Sequence, residues 1–299
     1  MMRLGIYKLK NALGIALFLL PAVVLVMVFI YVFLGWDAWA SLTDWKGMGE
    51  KIRFMGFMNY RELFTVDATF RQSLINTLVL AVVFLSITIP LGLFIAILLD
   101  LGVTGKHVFR TIFLLPLSFS FVVSATIWTW MFAPNSGTIN TVLRALHLGF
   151  LAQPWITSTS QSLLCVAIVY IWQFSGFATL VYFAGISGVS PELSEAASID
   201  GATPVQKYWL IIIPLQRPAT LTVFTILCVY AWRVFDLVYL MTGGGPGISS
   251  DVMATYLYRI TFNANRFAYG SSIGFFMFVI SILIIVPFFV LILRRPSEI

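Results

Sequence analysis

Two opposite charges stand inside one apolar segment, where charge is costly and therefore informative. Arg233 and Asp236 interrupt a hydrophobic run that begins at Ala219 and reaches about Met241. Because they are three residues apart on one predicted helix, they can face the same side and pair. Ionisable groups within a membrane span usually face a protein interior or an aqueous cavity. We therefore expect them to line a cavity or an outer gate, or else to form a structural pair near the outer interface with Arg233 snorkelling.

A second cluster combines aromatic rings with one amide. Tyr170, Trp172 and Gln173 precede Gly176 in another apolar, uncharged segment. Aromatic faces can stack on the C–H faces of a polyhydroxylated ring, while amide and hydroxyl groups supply donors and acceptors for its hydroxyls. This combination suits recognition of a sugar. The alternative for any single one of these residues is ordinary helix packing.

The residues needed for covalent catalysis or metal binding do not cluster in this sequence. No nucleophile–base pair, carboxylate dyad or group of metal ligands is visible, and Cys165 and Cys228 both lie in apolar stretches. The segment Gly102–His107 does not form a phosphate-binding loop, because it is too short and ends in His instead of Ser or Thr. The chain is therefore predicted not to be an enzyme and to bind no metal or cofactor of its own.

The composition is that of a chain embedded in lipid. Of its 299 residues, 60% are hydrophobic and only 10% are charged, and the mean hydropathy is +0.97. A soluble domain of this length cannot hide so much apolar surface, so a polytopic membrane protein is predicted. The net charge of +6 reflects a mild excess of Lys and Arg, mostly in loops. It does not resemble the basic stripe of a nucleic-acid-binding module, so no nucleic-acid partner is expected.

Six apolar segments are each long enough to cross the hydrocarbon layer as a helix of roughly 20 residues. They lie near Ala12–Leu34, Leu74–Leu99, Thr111–Phe132, Ser162–Ile186, Ala219–Met241 and Tyr269–Leu293. The predicted fold class is therefore all-α, with six transmembrane helices. Four prolines lie inside spans and are expected to kink them, namely Pro21, Pro90, Pro116 and Pro287. We divide the chain into an N-terminal span with its outer loop (1–73) and a core domain of five spans (74–299).

The polar stretch 189–218, between the fourth and fifth spans, is predicted to form a helix, a turn and a second helix. Ser190 can cap the first helix, and Gly201 supplies a break with free φ. Thr203 and Gln206 have the spacing of a capping box at the start of the second helix. From these features alone, the stretch is either a helix pair lying in the lipid interface or a surface that another protein approaches closely.

The spacing within this stretch resembles a family signature. Glu195-Ala196-Ala197 is followed by three residues, then Gly201, then nine residues, then Ile211-Ile212-Ile213-Pro214. This pattern resembles the EAA motif of binding-protein-dependent ABC importer permeases, with Ile213 where the family usually has Leu. Pro191-Glu192-Leu193 and Ile199-Asp200-Gly201-Ala202 are similar to the branch that imports sugars. The later segment Phe235–Pro246 is similar to the fifth span and following loop of the first of the two permeases in sugar-class importers. The resemblance covers most of residues 70–299.

The resemblance implies that solute transport and ATP hydrolysis are carried out by different subunits. In the family, the EAA loop seats in a cleft on an ATPase, which implies a coupling role for Glu195, Ala196, Ala197, Asp200, Gly201 and Pro214. It also implies a second homologous permease, two ATP-binding subunits that hold ATP and Mg, and an extracytoplasmic solute-binding protein. The chain is then expected in the cytoplasmic (inner) membrane, with both termini and the loop in the cytoplasm.

The resemblance also extends the candidate solute path. In the resembling permeases, positions at the distance of Tyr170 and Trp172 before the EAA Glu contribute to the sugar path. Two residues of the fifth span, Tyr230 and Ala231, are candidates on the same grounds. The predicted substrate path therefore comprises Tyr170, Trp172, Gln173, Tyr230, Ala231, Arg233 and Asp236.

Rival functions need residues that the sequence does not supply. A secondary transporter needs coupling-ion carboxylates within its spans, where Asp236 is the sole carboxylate well inside one. A membrane-embedded enzyme needs a cluster of ionisable residues. Within the resembling family, glycerol-3-phosphate or a polyol competes with a sugar as the solute. A phosphate would favour more cationic residues on the path than Arg233.

The missing phosphate-binding loop gives a direct test. The purified chain, free of partner subunits, is expected to hydrolyse no ATP, because it lacks the backbone cradle that holds the phosphates. A phosphate-release assay checks this prediction, with the complete importer as the positive control. Turnover by the pure chain above the rate of a detergent blank would contradict it.

Overall fold

A computed structural model of the chain describes residues 17–47, 51–102 and 106–293. Within these ranges the regular secondary structure is helical, and the only strand-like pairing is an isolated bridge between Thr43 and Phe54. The predicted all-α fold class is confirmed. Among the described residues, those from 67 to 256 and from 277 onward form a larger compact unit, and those up to 66 together with 257–276 form a smaller one. The division of the chain at residue 73 stays a prediction.

Thirteen helices are numbered here in chain order, within the described residues. They are α1 (Leu17–Ala40), α2 (Met58–Thr65), α3 (Ala68–Asp100), α4 (Lys106–Leu114), α5 (Phe121–Met131), α6 (Thr138–Ala145), α7 (Ser162–Ser187), α8 (Pro191–Ile199), α9 (Pro204–Leu215), α10 (Arg217–Trp232), α11 (Asp236–Met241), α12 (Met253–Tyr258) and α13 (Phe267–Leu293). Helices α1 and α9 each contain a π-helical turn, at Met27–Val32 and Tyr208–Ile212.

Four of these helices, α1, α3, α7 and α13, are long and apolar enough to cross a membrane unbroken. Two more spans are bent, α4 with α5 by 102° and α9 with α10 by 61°. Counting each bent pair as one span gives six, the predicted number. Residues 12–16 of the first predicted span lie outside the described residues, and α1 continues past its predicted end to Ala40.

The third predicted span is a sharp bend where a kinked helix was expected. Helix α4 ends at Leu114, a 3₁₀ turn follows at Leu115–Ser118, and α5 begins at Phe121. Pro116 lies in the turn, where its missing N–H and its ring oppose a continuous helix. Pro90, by contrast, lies inside the unbroken α3. A proline therefore permits a break in this chain but does not by itself determine one.

Helices α3 and α7 form the core of the larger unit. They approach closely where Gly92 faces the backbone of Ala178, so that a side chain at position 92 would overlap α7. The ring of Phe84, which is fully buried, packs against Tyr170 and Phe174 with centroid distances of 4.7 and 5.7 Å. Helix α7 is therefore the central element on which the neighbouring spans pack.

A buried polar network joins the start of α3 to the loop that follows α11. The Asp251 side chain is fully buried, and its carboxylate accepts hydrogen bonds from Ser73 Oγ at 3.2 Å and Thr255 Oγ1 at 2.7 Å. Asn76 Nδ2 donates to the carbonyls of Ile248 and Asp251 at 3.1 and 2.8 Å. These bonds offset the cost of burying a carboxyl group. They fix the glycine-rich loop to α3.

The smaller unit is held by side chains from separate parts of the sequence. Arg266 Nη2 donates to both carboxylate oxygens of Glu62, at 2.8 and 2.9 Å, and its guanidinium lies over the Tyr269 ring at 4.1 Å. Asn59, which is buried, donates to the Ser41 carbonyl at 2.8 Å. The predicted outer segment is thereby ordered around one short helix, α2.

A glycine in α7 provides a test of close packing. A Cβ at Gly176 would overlap the carbonyl of Phe113 at the end of α4, so Gly176→Ala is expected to destabilise the protein by about 1–3 kcal/mol. Gly188→Ala is the matched control, since a Cβ at Gly188 would lie 3.5 and 3.6 Å from the carbonyl oxygens of Gly185 and Ala184, which is ordinary van der Waals contact. Thermal unfolding in detergent should show a lower midpoint for the first variant only. Equal midpoints would contradict the close approach.

Candidate functional site

A cavity of about 250 Å³ lies in the larger unit, beside the interruption between α10 and α11. Its aromatic wall is formed by Phe121, Tyr170, Tyr230 and Phe235, and its charged groups are Arg233 and Asp236, with Val234 and Leu237 completing the lining. Helix α5 packs against α11 at this place, so both bent or interrupted spans border the cavity. Its size and its mixture of rings and charges suit a small polar ligand.

The interruption that creates the cavity has no obvious sequence signal. Helix α10 ends at Trp232, whose indole Nε1 donates to the Met277 carbonyl at 2.9 Å. Phe235 has φ −130° and ψ −60°, outside the helical region, and α11 begins at the next residue. No proline or glycine lies between the two helices. The fifth predicted span therefore comprises α10 and α11 with an interruption between them, whereas the bent helix pair that could cross a membrane, α9 with α10, begins earlier and ends at Trp232.

The expectation that Arg233 and Asp236 pair on one helix is wrong. Because α10 ends before Arg233 and α11 begins at Asp236, the two residues do not share a regular helical face. They form no salt bridge within 4.0 Å, although both are described residues. Both side chains are exposed and both line the cavity. The cavity therefore presents one positive and one negative group that do not neutralise each other by direct contact.

Two residues of the predicted substrate path donate side-chain hydrogen bonds to main-chain carbonyls. Tyr170 Oη donates to the Tyr230 carbonyl at 2.9 Å, and Gln173 Nε2 donates to the Phe119 carbonyl at 2.9 Å. Both side chains are only 3% exposed. Tyr170 still contributes its ring to the cavity wall, whereas Gln173 does not line the cavity. The Oε1 atom of Gln173 is buried and lacks a hydrogen-bond donor among the described residues.

The remaining path candidates lie in the packing beside the cavity. Trp172 packs edge-on against Trp128, with a centroid distance of 5.5 Å, and its ring lies 6.1 Å from that of Phe119. Ala231 is fully buried. Neither residue lines the cavity, which brings together four of the seven predicted residues. A solute-contacting role stays a prediction for all seven.

The sequence reasoning missed two aromatic wall residues, Phe121 and Phe235. Each follows an interruption, Phe121 at the start of α5 and Phe235 directly before α11. Only Pro116, five residues before Phe121, hinted at the first of these positions. The second could not be found without knowing where α10 ends.

The predicted loop forms the expected helix, turn and helix. Gly201 has φ +79°, a left-handed conformation that glycine adopts without strain. The N–H groups of Gly201 and Ala202 donate to the carbonyls of Ser198 and Ala197 at 3.2 and 2.9 Å. These are the two bonds of a Schellman motif, which closes the C-terminus of α8. The turn at Gly201 is therefore a defined structure held by main-chain bonds.

The second helix of the loop starts as predicted. Thr203 accepts from the Gln206 N–H at 3.3 Å, and the Gln206 side chain accepts from the Thr203 N–H at 2.8 Å, so the capping box is complete. Ser190 occupies the N-cap of α8, but its side chain makes no capping hydrogen bond there. Tyr208 Oη donates to Asp100 Oδ2 at 2.6 Å, which ties the loop to the end of α3.

The loop presents both its motif residues and several large apolar side chains at the surface. Glu195, Ala196, Asp200, Gly201 and Pro214 are exposed, whereas Ala197 is buried. The exposed fractions are 86% for Ile199, 65% for Val205, 67% for Trp209 and 72% for Leu210. Apolar groups exposed together beside a rigid turn are typical of a protein or membrane contact surface.

The fold, the interrupted spans and the loop together define a multi-pass membrane transport component. The model of the family of binding-protein-dependent transport system inner membrane components matches residues 88–295, and the chain belongs to this family. The family consists of membrane permeases, not catalytic subunits.

Curated relatives match nearly the whole chain. A probable ABC transporter permease from Pyrococcus horikoshii is 40% identical over 92% of this chain and 94% of its own length. The xylose/arabinose import permease XacH of Haloferax volcanii is 35% identical over 89% of this chain and 83% of its own length.

A solved structure shares the fold. One chain of a bacterial alginate ABC transporter, crystallised in complex with an alginate pentasaccharide-bound periplasmic protein, superimposes with a TM-score of 0.83. The two chains are 24% identical, and the match covers 94% of each.

The cavity can be tested by its access to water. In a background lacking Cys165 and Cys228, cysteines at positions 233 and 236 should react with a charged thiol reagent on the order of tenfold faster than a cysteine at position 231, because thiol reactivity follows exposure. Ala231 is the matched control, since it lies beside the cavity but is fully buried. Alkylation kinetics in membranes measure the rates. Equal protection at all three positions would contradict an accessible cavity.

Proposed function

We propose that this chain is a transmembrane permease subunit of an ABC importer that moves a sugar or a related polar solute across the cytoplasmic membrane. The observation that carries the proposal is the exposed loop 189–218, whose motif residues and turn have the form that a coupling contact requires, in a chain that belongs to a permease family. The cavity beside α10 and α11 supplies a place for solute within the same unit.

The proposed assembly contains a second homologous permease, two ATP-binding subunits and an extracytoplasmic solute-binding protein. The absence of a phosphate-binding loop from this sequence supports placing ATP and Mg on the ATP-binding subunits. The alginate transporter, crystallised in complex with a pentasaccharide-bound periplasmic protein, supports a binding protein as a partner. No nucleic acid belongs to this assembly.

The loop is proposed to transmit movement between ATPase and permease. The rigid Schellman turn at Gly201 keeps Glu195 and Asp200 at the exposed surface, and the exposed Ile199 and Val205 offer apolar area for an ATPase cleft. The Tyr208–Asp100 hydrogen bond and the one-residue connection from α9 to α10, bent by 61°, join this contact to the spans. Closure of the ATPases would then swing the two permeases between inward-open and outward-open states.

The solute class follows from the cavity and from the relatives. Rings of Phe121, Tyr170, Tyr230 and Phe235 can stack on sugar faces, and the unpaired Arg233 and Asp236 can bind hydroxyls. The Haloferax relative is named for import of xylose and arabinose. Glycerol-3-phosphate is less well supported, because the single cation in the cavity is accompanied by a carboxylate. A neutral polyol fits the same groups as a sugar.

The proposed orientation places both termini and the loop 189–218 in the cytoplasm. Nine Lys and Arg residues then fall in inner segments and eight in outer loops, and the inner segments are the shorter and denser ones. Trp36 and Trp39, at the end of α1, would lie at the outer interface, where tryptophan is enriched.

Two substitutions in the loop test the coupling role. Gly201→Asp forces a side chain into a left-handed turn, and Glu195→Lys reverses an exposed charge. Both are expected to abolish transport or assembly in reconstituted importer, while the six spans still insert. The measurements are solute uptake, ATP hydrolysis and complex yield in proteoliposomes.

Gly56→Asp is the matched control for Gly201→Asp. Gly56 also has positive φ, at +59°, and open space around it, but it lies far from the loop in sequence and on the predicted outer side. It should transport normally. If Gly201→Asp and Glu195→Lys both transport at the normal rate with normal complex yield, the coupling role is wrong.

A further inference from the structure

The break between α4 and α5 leaves one main-chain carbonyl without its helical partner. In a continuous helix the Phe119 carbonyl would accept from the N–H of Val123, four residues on. In the bent span the Val123 N–H donates to Ser120 Oγ at 3.3 Å instead. The Phe119 carbonyl accepts from Gln173 Nε2 at 2.9 Å. Both main-chain groups of the lost helical bond are thus satisfied by side chains.

The break between α10 and α11 also leaves a main-chain carbonyl without its helical partner. The Tyr230 carbonyl is among the last of α10, where the regular helical bond to Val234 would no longer form because the helix ends at Trp232. This carbonyl accepts from Tyr170 Oη at 2.9 Å. A carbonyl buried without a donor would cost free energy comparable to a lost hydrogen bond.

Both donors stand on α7, one helical turn apart. Tyr170 and Gln173 are separated by three residues, so they lie on neighbouring positions of one helix face. Each is almost completely buried, and Tyr170 packs between Phe84 and Phe121 with centroid distances of 4.7 and 6.1 Å. The helices that follow the two breaks, α5 and α11, also pack against each other. One rigid helix therefore holds the ends of two different interruptions.

We propose that Tyr170 and Gln173 are positioning residues that make the two interruptions one mechanical unit. Both side chains donate from a single helix, to the carbonyls of Tyr230 and Phe119. The α4–α5 and α10–α11 interruptions therefore change their backbone conformation together during the transport cycle. This proposal rests on the proposed transport function, and it assigns the polar groups Tyr170 Oη and Gln173 Nε2 to control of the cavity walls, while the Tyr170 ring still lines the cavity.

The hydrogen-bond inventory explains how such a unit can have two states. Straightening the α4–α5 bend would restore the bond between Val123 and Phe119 while releasing Gln173 Nε2 and Ser120 Oγ. For this pair of main-chain groups, each is satisfied in both arrangements. Gln173 Oε1, buried without a donor in this state, is an acceptor still available for use in the other state.

Distances between spin labels in the complete importer test the coupling. One label replaces Val82 on α3 as the reference, and the second replaces either Val122 on α5 or Leu240 on α11, with Cys165 and Cys228 changed to Ala. The three label sites are exposed, at 65%, 56% and 44%. Gln173→Met removes only the hydrogen bond to the Phe119 carbonyl, and Tyr170→Phe removes only the hydrogen bond to the Tyr230 carbonyl.

If the two interruptions act as one unit, each variant shifts the distance distribution at both label pairs. Gln173→Met should therefore move the Val82–Leu240 distance, and Tyr170→Phe the Val82–Val122 distance. The double variant should show no larger shift than the larger single one. The proposal would be overturned if each variant shifted only the label pair next to the hydrogen bond that it removes, or if neither label pair shifted.

Tyr182→Phe is the matched control. Tyr182 is a fully buried tyrosine of α7 whose hydroxyl donates to Thr220 Oγ1 of α10 at 3.0 Å, but it touches no carbonyl at a break. Its substitution should leave both distances unchanged. If Gln173→Met fails to assemble, the Tyr170→Phe arm still decides the outcome at the Val82–Val122 pair.

The rate of ATP hydrolysis without solute gives an independent reading. Each single variant should raise it on the order of three- to tenfold, the factor that corresponds to losing one hydrogen bond, with no further rise in the double variant. Multiplicative rises would mean two independent hinges and would overturn the proposal. Solute uptake by the unsubstituted importer is measured in the same vesicles. Failure of that control would count against the proposed function, whereas the label distances test the coupling of the two interruptions without requiring transport.

Discussion

The need to satisfy main-chain hydrogen bonds within lipid governs this structure. Non-helical backbone at membrane depth is tolerated only where protein groups or a water-filled cavity receive its N–H and carbonyl groups. Two spans of this chain are interrupted, and the carbonyls of Phe119 and Tyr230 are received by side chains of α7. The cavity lies beside the α10–α11 interruption, and α7 donates hydrogen bonds to a carbonyl at each of the two interruptions. The cavity wall and the core of the larger unit therefore share one helix.

Features determined by neighbouring residues were predictable from the sequence. The apolar runs located α3 and α7 to within a few residues, because a span of this kind needs only length and hydrophobicity. The capping box at Thr203 and the left-handed turn at Gly201 followed from local chemistry and are confirmed. The family followed from the spacing between Glu195 and Pro214, a resemblance that the comparisons confirm.

Features that depend on contacts between distant segments were not predictable. Pro116 and Pro90 are alike in sequence context, yet only the span of Pro116 breaks, and the α10–α11 interruption contains neither proline nor glycine. The proposed pairing of Arg233 with Asp236 was therefore wrong, because it assumed a continuous helix. The buried Asp251 network was missed for the same reason, since Ser73 lies 178 residues away in the sequence.

The bond from Tyr170 to residue 230 has a consequence for how such proteins diversify. Tyr170 holds the main-chain carbonyl of Tyr230, whereas the side chain of Tyr230 faces the cavity. Every amino acid presents the same carbonyl, so the side chain at position 230 is free to vary without loss of the bond that shapes the wall. The cavity lining and the hydrogen bond that holds the helix break are thereby encoded in different atoms of one residue. A substitution at this position can reshape the cavity while the bonded carbonyl stays the same.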